Sequence, residues 1–209
     1  MHSHNALVED VSIVGAFTTR EVAALAEVPL RAVAKAIKEG ILKRVTYKRN
    51  RSSLLPLHAI PLVAIINRLS VRLEQDAKLQ LACALANKSL RLMTREPVEI
   101  APGVIVDVPR LVDCRLTERA ASYAETRDCA IESNPEILGG IPVIKGTRIS
   151  VNAIRHRVDA GENYEVLLED YPEIKLEVFE TAVLYARTHP SVGQLHGRAR
   201  PGGRRKGGR

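Results

Sequence analysis

The sequence predicts a mainly α-helical chain built from two helical modules, and three observations carry that reading. Of 209 residues, 45% are hydrophobic but only 3% aromatic, and there is no Trp. The core must therefore come from Leu, Ile, Val and Ala, which suits packed helices better than a sandwich of sheets. Two stretches, Phe17 to Leu42 and Val151 to His189, repeat apolar residues at helical spacing and are broken by short Gly, Pro and Asn signals. Charge is also uneven. Residues 17–60 carry nine Lys/Arg against three acids, and residues 190–209 carry six against none. Residues 61–189 carry sixteen against nineteen. Positive charge concentrated in one N-terminal segment and one tail points to polyanionic partners at those two places.

The first segment, 1–16, reads as a short leader, loose or a short strand, without the basic start and apolar block of a signal peptide. His2 and His4 alternate within it, and no metal role is assigned to them. Phe17 to Leu42 reads as helix-turn-helix. Thr18 and Glu21 have capping-box spacing, with Phe17 ahead as a staple. Val22, Leu25 and Ala26 recur on one side. Pro29 is placed to open the second helix, and Gly40 to end it. Leu30, Val33 and Ile37 mark the expected buried face. Arg31, Lys35 and Lys38 stand in one row on the other face, as a helix lying in the major groove requires.

After Gly40, two β-prone runs flank the basic tip Lys48-Arg49-Asn50-Arg51 and predict a wing. Thr19, Arg44, Lys48, Arg49 and Arg51 join the α-helical row as expected contacts to double-stranded DNA. Residues 17–60 resemble the winged helix-turn-helix of the MerR and excisionase-like group. The likeness rests on Phe17 through Ala26, on Val28-Pro29 and on the Glu39-Gly40-Ile41-Leu42 exit.

From His58 to Arg95 one long helix is expected, with Pro61 in its first turn. Its stripe is Leu62, Ile65, Ile66, Leu69 and Leu73, then Leu79, Ala82, Cys83 and Leu90, with Asp76 and Lys78 outward. Such a stripe suits pairing with a second copy, or packing on its own domain. Residues 96–108 predict a hairpin turning at Ala101-Pro102-Gly103. Asp107 is placed to cap a connector helix from Pro109 to about Arg127.

Residues 128–189 form the second module. Apolar runs Ile141–Ile144 and Ile149–Val151 flank Lys145-Gly146-Thr147-Arg148, where Gly146 supplies the positive φ of a tight reversal. Ser150 caps a helix over 151–160, ended by Gly161. Asn163 caps a short helix over 164–170, and Tyr171-Pro172 breaks it. A last helix spans 173–189, with Leu176, Phe179, Val183 and Leu184 inward. Three helices with a tight middle turn again make a helix-turn-helix shape.

Ile131 through His189 resembles the small homeodomain-like domain of unknown function found in VapB-type antitoxins. The residues that carry the likeness are Asn134 through Gly140, Pro142-Val143, Lys145 through Ile149, Ala160-Gly161, Leu168 through Pro172 and Ala182. The expected fold is thus an N-terminal winged helix-turn-helix plus a C-terminal three-helix homeodomain-like bundle opened by a short β-hairpin. The resemblance implies the antitoxin half of a toxin–antitoxin pair, a PIN-like ribonuclease toxin as partner, and repression of its own operon. Residues 128–189 hold eleven acids and six Lys/Arg. An acidic helix pushed into a groove meets phosphate repulsion, so this module is expected to meet protein instead. Arg148, Arg155 and Arg157 are its positive cluster, neutralising phosphates, facing an acidic toxin surface or pairing with Asp159 and Glu162. Residues 190–209 are low in complexity and rich in Gly and Arg. Arg198, Arg200, Arg204 and Arg205 are candidates to enter the toxin's carboxylate cluster; attachment to DNA is the alternative.

Other classes find little support. Cys83, Cys114 and Cys129 are odd in number and widely spaced, which fits a reducing compartment and neither a disulfide framework nor a zinc site. The Gly140–Thr147 stretch ends Lys-Gly-Thr rather than Gly-Lys-Thr and fails as a phosphate loop. His58, His156 and His189 have no nucleophile or carboxylate in a recognisable frame. The expectation is a cytoplasmic, non-enzymatic homodimer that binds operator DNA, with no cofactor, metal, small-molecule substrate or membrane partner. A stand-alone regulator, and an adaptor whose basic face meets an acidic protein, are the competing readings.

Overall fold

The computed structural model describes residues 16–42, 47–49 and 52–190, of which 47–49, 52 and 53 are described as backbone. The fold is mainly α. Nine α-helices, one 3-10 turn (Leu138–Gly140) and three two-stranded antiparallel sheets are found among the described residues.

Helix α1 (Thr19–Leu25) starts where the sequence places it. The Glu21 amide donates to Thr18 Oγ1 at 3.2 Å, and the Thr18 amide donates to Glu21 Oε2 at 2.7 Å. This reciprocal box satisfies two amides that the first turn leaves without partners. Helix α2 (Leu30–Lys38) follows Pro29, which sits one residue ahead of the helix with an extended ψ of 142°. Gly40, at φ +78°, turns the chain away from α2 at no steric cost. Strands β1 (Tyr47–Arg49) and β2 (Ser52–Leu54) pair with Arg49 opposite Ser52. Beyond them, Phe17 and Leu55 exchange backbone hydrogen bonds of 2.8 and 2.7 Å, tying the base of this hairpin to the start of α1.

Helices α3 (Ala59–Arg68) and α4 (Gln75–Ala86) replace the single long helix expected over 58–95. Leu69 is extended at ψ 130°, and Val71 in the link is exposed. The reason is geometric. An unbroken helix of that length would run to about 57 Å and hold its two apolar stretches apart. Folding back brings Leu81 and Leu85 into the same core as Leu62 and Ile65. Two side chains change places with expectation. Lys78 is buried rather than outward, and Cys83 is exposed rather than part of the stripe.

Strands β3 (Val98–Ala101) and β4 (Val104–Val106) form the expected hairpin. The connector is likewise two helices, α5 (Val108–Leu111) and α6 (Leu116–Ala130). Asp113 accounts for the break, because its Oδ1 accepts the Arg115 amide at 2.7 Å and offers the backbone a turn instead of a helix. Asp107 stands at the cap position of α5 without a capping bond and pairs with Arg110 at 3.1 Å.

In the C-terminal part, β5 (Ile131–Glu132) pairs with β6 (Val143–Ile144). Gly146, at φ +77°, carries the reversal that returns the chain so that the Ile144 amide reaches Ile149 O at 2.9 Å. Helix α7 (Val151–Asp159) is capped by Ser150, whose Oγ accepts the Ala153 amide at 3.1 Å. Helices α8 (Tyr164–Asp170) and α9 (Leu176–Thr188) complete the chain. Asn163 precedes α8 without a side-chain capping bond. Leu176, expected inward, is 39% exposed because it is the first residue of α9 and lies beyond the core.

Two cores result. One runs from Phe17 to Ala124, and the other gathers Ile144, Val151, Ile154, Leu167, Phe179 and Val183. Helix α9 joins them. Phe179 and Val183 fill the second core, while Leu184 packs against the first. No helix among the described residues is long and apolar enough to cross a membrane.

Candidate nucleic-acid interface

The strongest candidate surface is α2. Val33 and Ala36 are buried, which fixes how the helix rotates about its axis. Arg31, Lys35 and Lys38 are then exposed in one row spanning about 10 Å along the axis. Leu30, expected inward, is 45% exposed as the first residue of α2.

Among the described residues one acid pairs with that row, and the structure diverts it. Glu39 lies 3.7 Å from Lys35 Nζ, but Lys78 Nζ donates to its other oxygen at 2.9 Å. The Lys78 side chain is 11% exposed and that of Lys35 67%, so the Lys78 contact is the less screened and the stronger of the two. The hydrogen bond from Lys78 holds the Glu39 carboxyl below its ordinary pKa. Gln75 Nε2 adds a bond of 2.9 Å to Glu39 O. Lys35 is therefore left largely available, and Lys78 is a positioning residue. Its neighbours in sequence, Ala77 and Leu79, gave no sign of a buried cation partner 39 residues away.

The turn between α1 and α2 is pinned from outside. Glu27, at φ +55°, accepts Arg68 Nη2 at 3.3 Å, and Arg68 Nη1 reaches Leu111 O at 3.0 Å. Thr19 is half-buried in the first turn of α1. Lys48 and Arg49 fall on β1 as backbone, and Arg44 and Arg51 lie outside the described residues, as does 1–15.

Beneath α1 lies a buried polar network that local patterns did not reveal. Glu21 is 1% exposed. Its Oε1 accepts Tyr123 Oη at 2.8 Å and Arg127 Nη1 at 2.9 Å, both from α6. Arg127 also donates to Ala16 O at 3.2 Å and to Asp128 Oδ1 at 2.8 Å. Its guanidinium lies 5.7 Å from the Phe17 ring centre and 5.8 Å from that of Tyr123. Burial and the adjacent Glu21 push the Tyr123 hydroxyl well above its ordinary pKa. Burial opposes the charge on Arg127, yet its bonds to Asp128 and Glu21 outweigh that and keep it firmly protonated.

The C-terminal part has a different balance. Arg157 Nε donates to Glu162 Oε2 at 2.6 Å, and its Nη2 bonds Glu162 and Asp170. Arg155 Nε lies 3.9 Å from Asp159, and Arg187 donates to Asp159 at 2.6 Å. The expected cluster of Arg148, Arg155 and Arg157 is thus divided. Two members are engaged by acids of their own module, while Arg148 is exposed on the 145–148 turn and makes no ion pair among the described residues. Arg198, Arg200, Arg204 and Arg205 lie outside the described residues. Among the described residues no three His, Cys, Asp or Glu side chains gather as a metal site would require.

These features define a mainly α chain with a basic, outward helix near one end and an acidic helical unit near the other. Residues 131–186 match a family model described as "Protein of unknown function (DUF433)". The chain is also similar to the "Uncharacterized protein y4eO" of Sinorhizobium fredii, 37% identical over 78 residues. That similarity covers 37% of this chain and 35% of the relative. No solved structure matches the chain.

Proposed function

We propose that this chain is a DNA-binding antitoxin that represses its own operon and neutralises a PIN-like ribonuclease toxin. Residues 17–60 act as a winged helix-turn-helix. Arg31, Lys35 and Lys38 of α2 enter the major groove, and the β1–β2 hairpin lies along the backbone. The homeodomain-like C-terminal unit and the tail meet the toxin or a second protomer, with Arg148 and the arginines after 190 as contacts. A dimer follows from the size of the reader, since one short helix covers too few base pairs for selective binding.

The observation that carries this reading is the exposed cationic row on α2, whose one nearby acid is held by Lys78. Phosphate contacts of this kind make affinity fall linearly in log-log form as salt rises. Two measurements test the reading. Purified chain titrated onto its own upstream duplex gives a steep salt slope, and co-expression with the neighbouring reading frame yields a stable complex that lacks ribonuclease activity. A flat salt response removes the DNA role. Failure to co-purify with, or inhibit, the neighbouring product removes the toxin role and leaves a stand-alone regulator.

A further inference from the structure

We infer that a second phosphate-contacting surface lies where the 87–97 turn meets the start of α6, and that it grips the backbone of the duplex held by α2. Arg91, Arg95, Arg115 and Arg119 line one open depression together with Glu118 and Ser122. All four arginines are exposed. Two acids are present, and both are engaged. Glu118 Oε1 accepts Arg95 Nη2 at 3.0 Å, and Asp113 Oδ2 lies 3.2 Å from Arg119 Nη2. The other Asp113 oxygen takes the Arg115 amide at 2.7 Å. Arg91 and Arg115 keep no ion pair among the described residues.

Arg115 and Arg119 stand where the helix dipole disfavours cations, and Glu118 in the same turn offsets part of that cost. Helix α6 begins just after Arg115, which supplies no side-chain cap, and Arg119 sits one turn later. Cations at the positive end of a fifteen-residue helix raise its energy, whereas an anion placed there lowers it. Guanidinium forks fit phosphate oxygens in pairs. The lining has no aliphatic or aromatic side chain, unlike the enclosed, apolar pockets that hold small ligands. An open depression lined by charged and polar residues suits a run of backbone phosphates instead.

Its place in the fold agrees. Arg68 ties the α1–α2 turn at Glu27 to Leu111 at the end of α5. Arg115 is four residues further on, at most about 14 Å of chain. The cluster therefore belongs to the part of the molecule anchored directly to the proposed reading helix. The inference rests on the DNA reading above.

The test compares three proteins on the upstream duplex and on a scrambled duplex: wild type, the R91Q/R115Q pair, and the R31E/K35E/K38E triple. Arg91 and Arg115 are exposed and unpaired, so the pair keeps the wild-type melting temperature. Each lost phosphate contact removes about 0.9 from the log-log salt slope. The pair is expected to lower the slope by about 2 and to weaken binding roughly 30-fold near ~0.15 M salt, equally on both duplexes. R91K/R115K, which keeps the charge, restores the slope. If the glutamine pair keeps wild-type slope and affinity while the α2 triple loses binding, the second surface is refuted and the DNA reading stands. If wild type binds neither duplex, both fall together.

Discussion

The α1–α2 pair and the α8–α9 pair are both helix pairs joined by short links, and their exposed charge is opposite in sign. Each is a short helix, a short link and a second helix packed over a hydrophobic core. On α2 the exposed row is Arg31, Lys35 and Lys38. On α8, α9 and the link between them, Glu165, Glu169, Glu173, Glu177 and Glu180 are exposed. Nearby arginines do not offset this, because Arg157 is held by Glu162 and Asp170, and Arg187 by Asp159. The comparison teaches that helix-pair geometry does not assign a nucleic-acid role. What remains after charges pair within the fold differs in sign between the two ends, and the proposed DNA role rests on that difference.

The two regions also differ in how their ionic contacts are set. Glu21 is buried beneath α1 and shared by Thr18, Tyr123 and Arg127, whereas Glu162 is held by Arg157 near the surface. The sharpest way to break the comparison is to remove both acids in turn. Glu21→Ala leaves Arg127 with Asp128 as its remaining ion partner, strips the buried Tyr123 hydroxyl of its acceptor and deletes half of the capping box. It is expected to cost about 3–5 kcal/mol, read as a lower denaturant midpoint at unchanged slope. Glu162→Gln is expected to move the midpoint far less, since solvent screens its pair. Equal shifts would erase the distinction.

A smaller effect separates the regions by pH. His58, at the start of α3, has a buried Nε2 without a partner, and burial lowers its pKa to about 4. Because the unfolded chain takes up the proton first, the stability from neutral His58 is complete above about pH 6.5 and is lost as pH falls towards 4. Between pH 7 and 5 the N-terminal core is expected to lose about 2 kcal/mol, and His58→Gln should abolish that loss. The Asp159 and Glu162 carboxyls are held below their ordinary range by Arg187 and Arg157, so the C-terminal pairs persist through the same interval. Hydrogen exchange resolved by region measures the difference. Parallel loss in α7–α9 would contradict it.

Local chemistry made much of the fold readable in advance. The Thr18–Glu21 box, the Gly40 and Gly146 reversals, the Ser150 cap and the α2 cationic row are each encoded within a few adjacent residues. What escaped depends on distant contacts. The turn-back between α3 and α4 exists because Leu81 and Leu85 join the core of Leu62 and Ile65, which periodicity cannot express. Lys78 reads as surface until Glu39 is placed against it, and Glu21 reads as a cap until α6 delivers Tyr123 and Arg127 from about a hundred residues away. The arginine depression was hidden because its members come from 91–95 and 115–119, inside a stretch whose total charge is negative.

The account stands most directly on one pair of titrations over a range of salt. Charge reversal on α2, R31E/K35E/K38E, is compared with reversal on α9 and the link before it, E173K/E177K/E180K, using the upstream duplex. Loss of duplex affinity and of most of the salt slope in the first protein, with specific recognition in the second no better than in wild type, is the predicted result. Intact binding by the α2 variant, or new sequence-selective binding by the α9 variant, would contradict it.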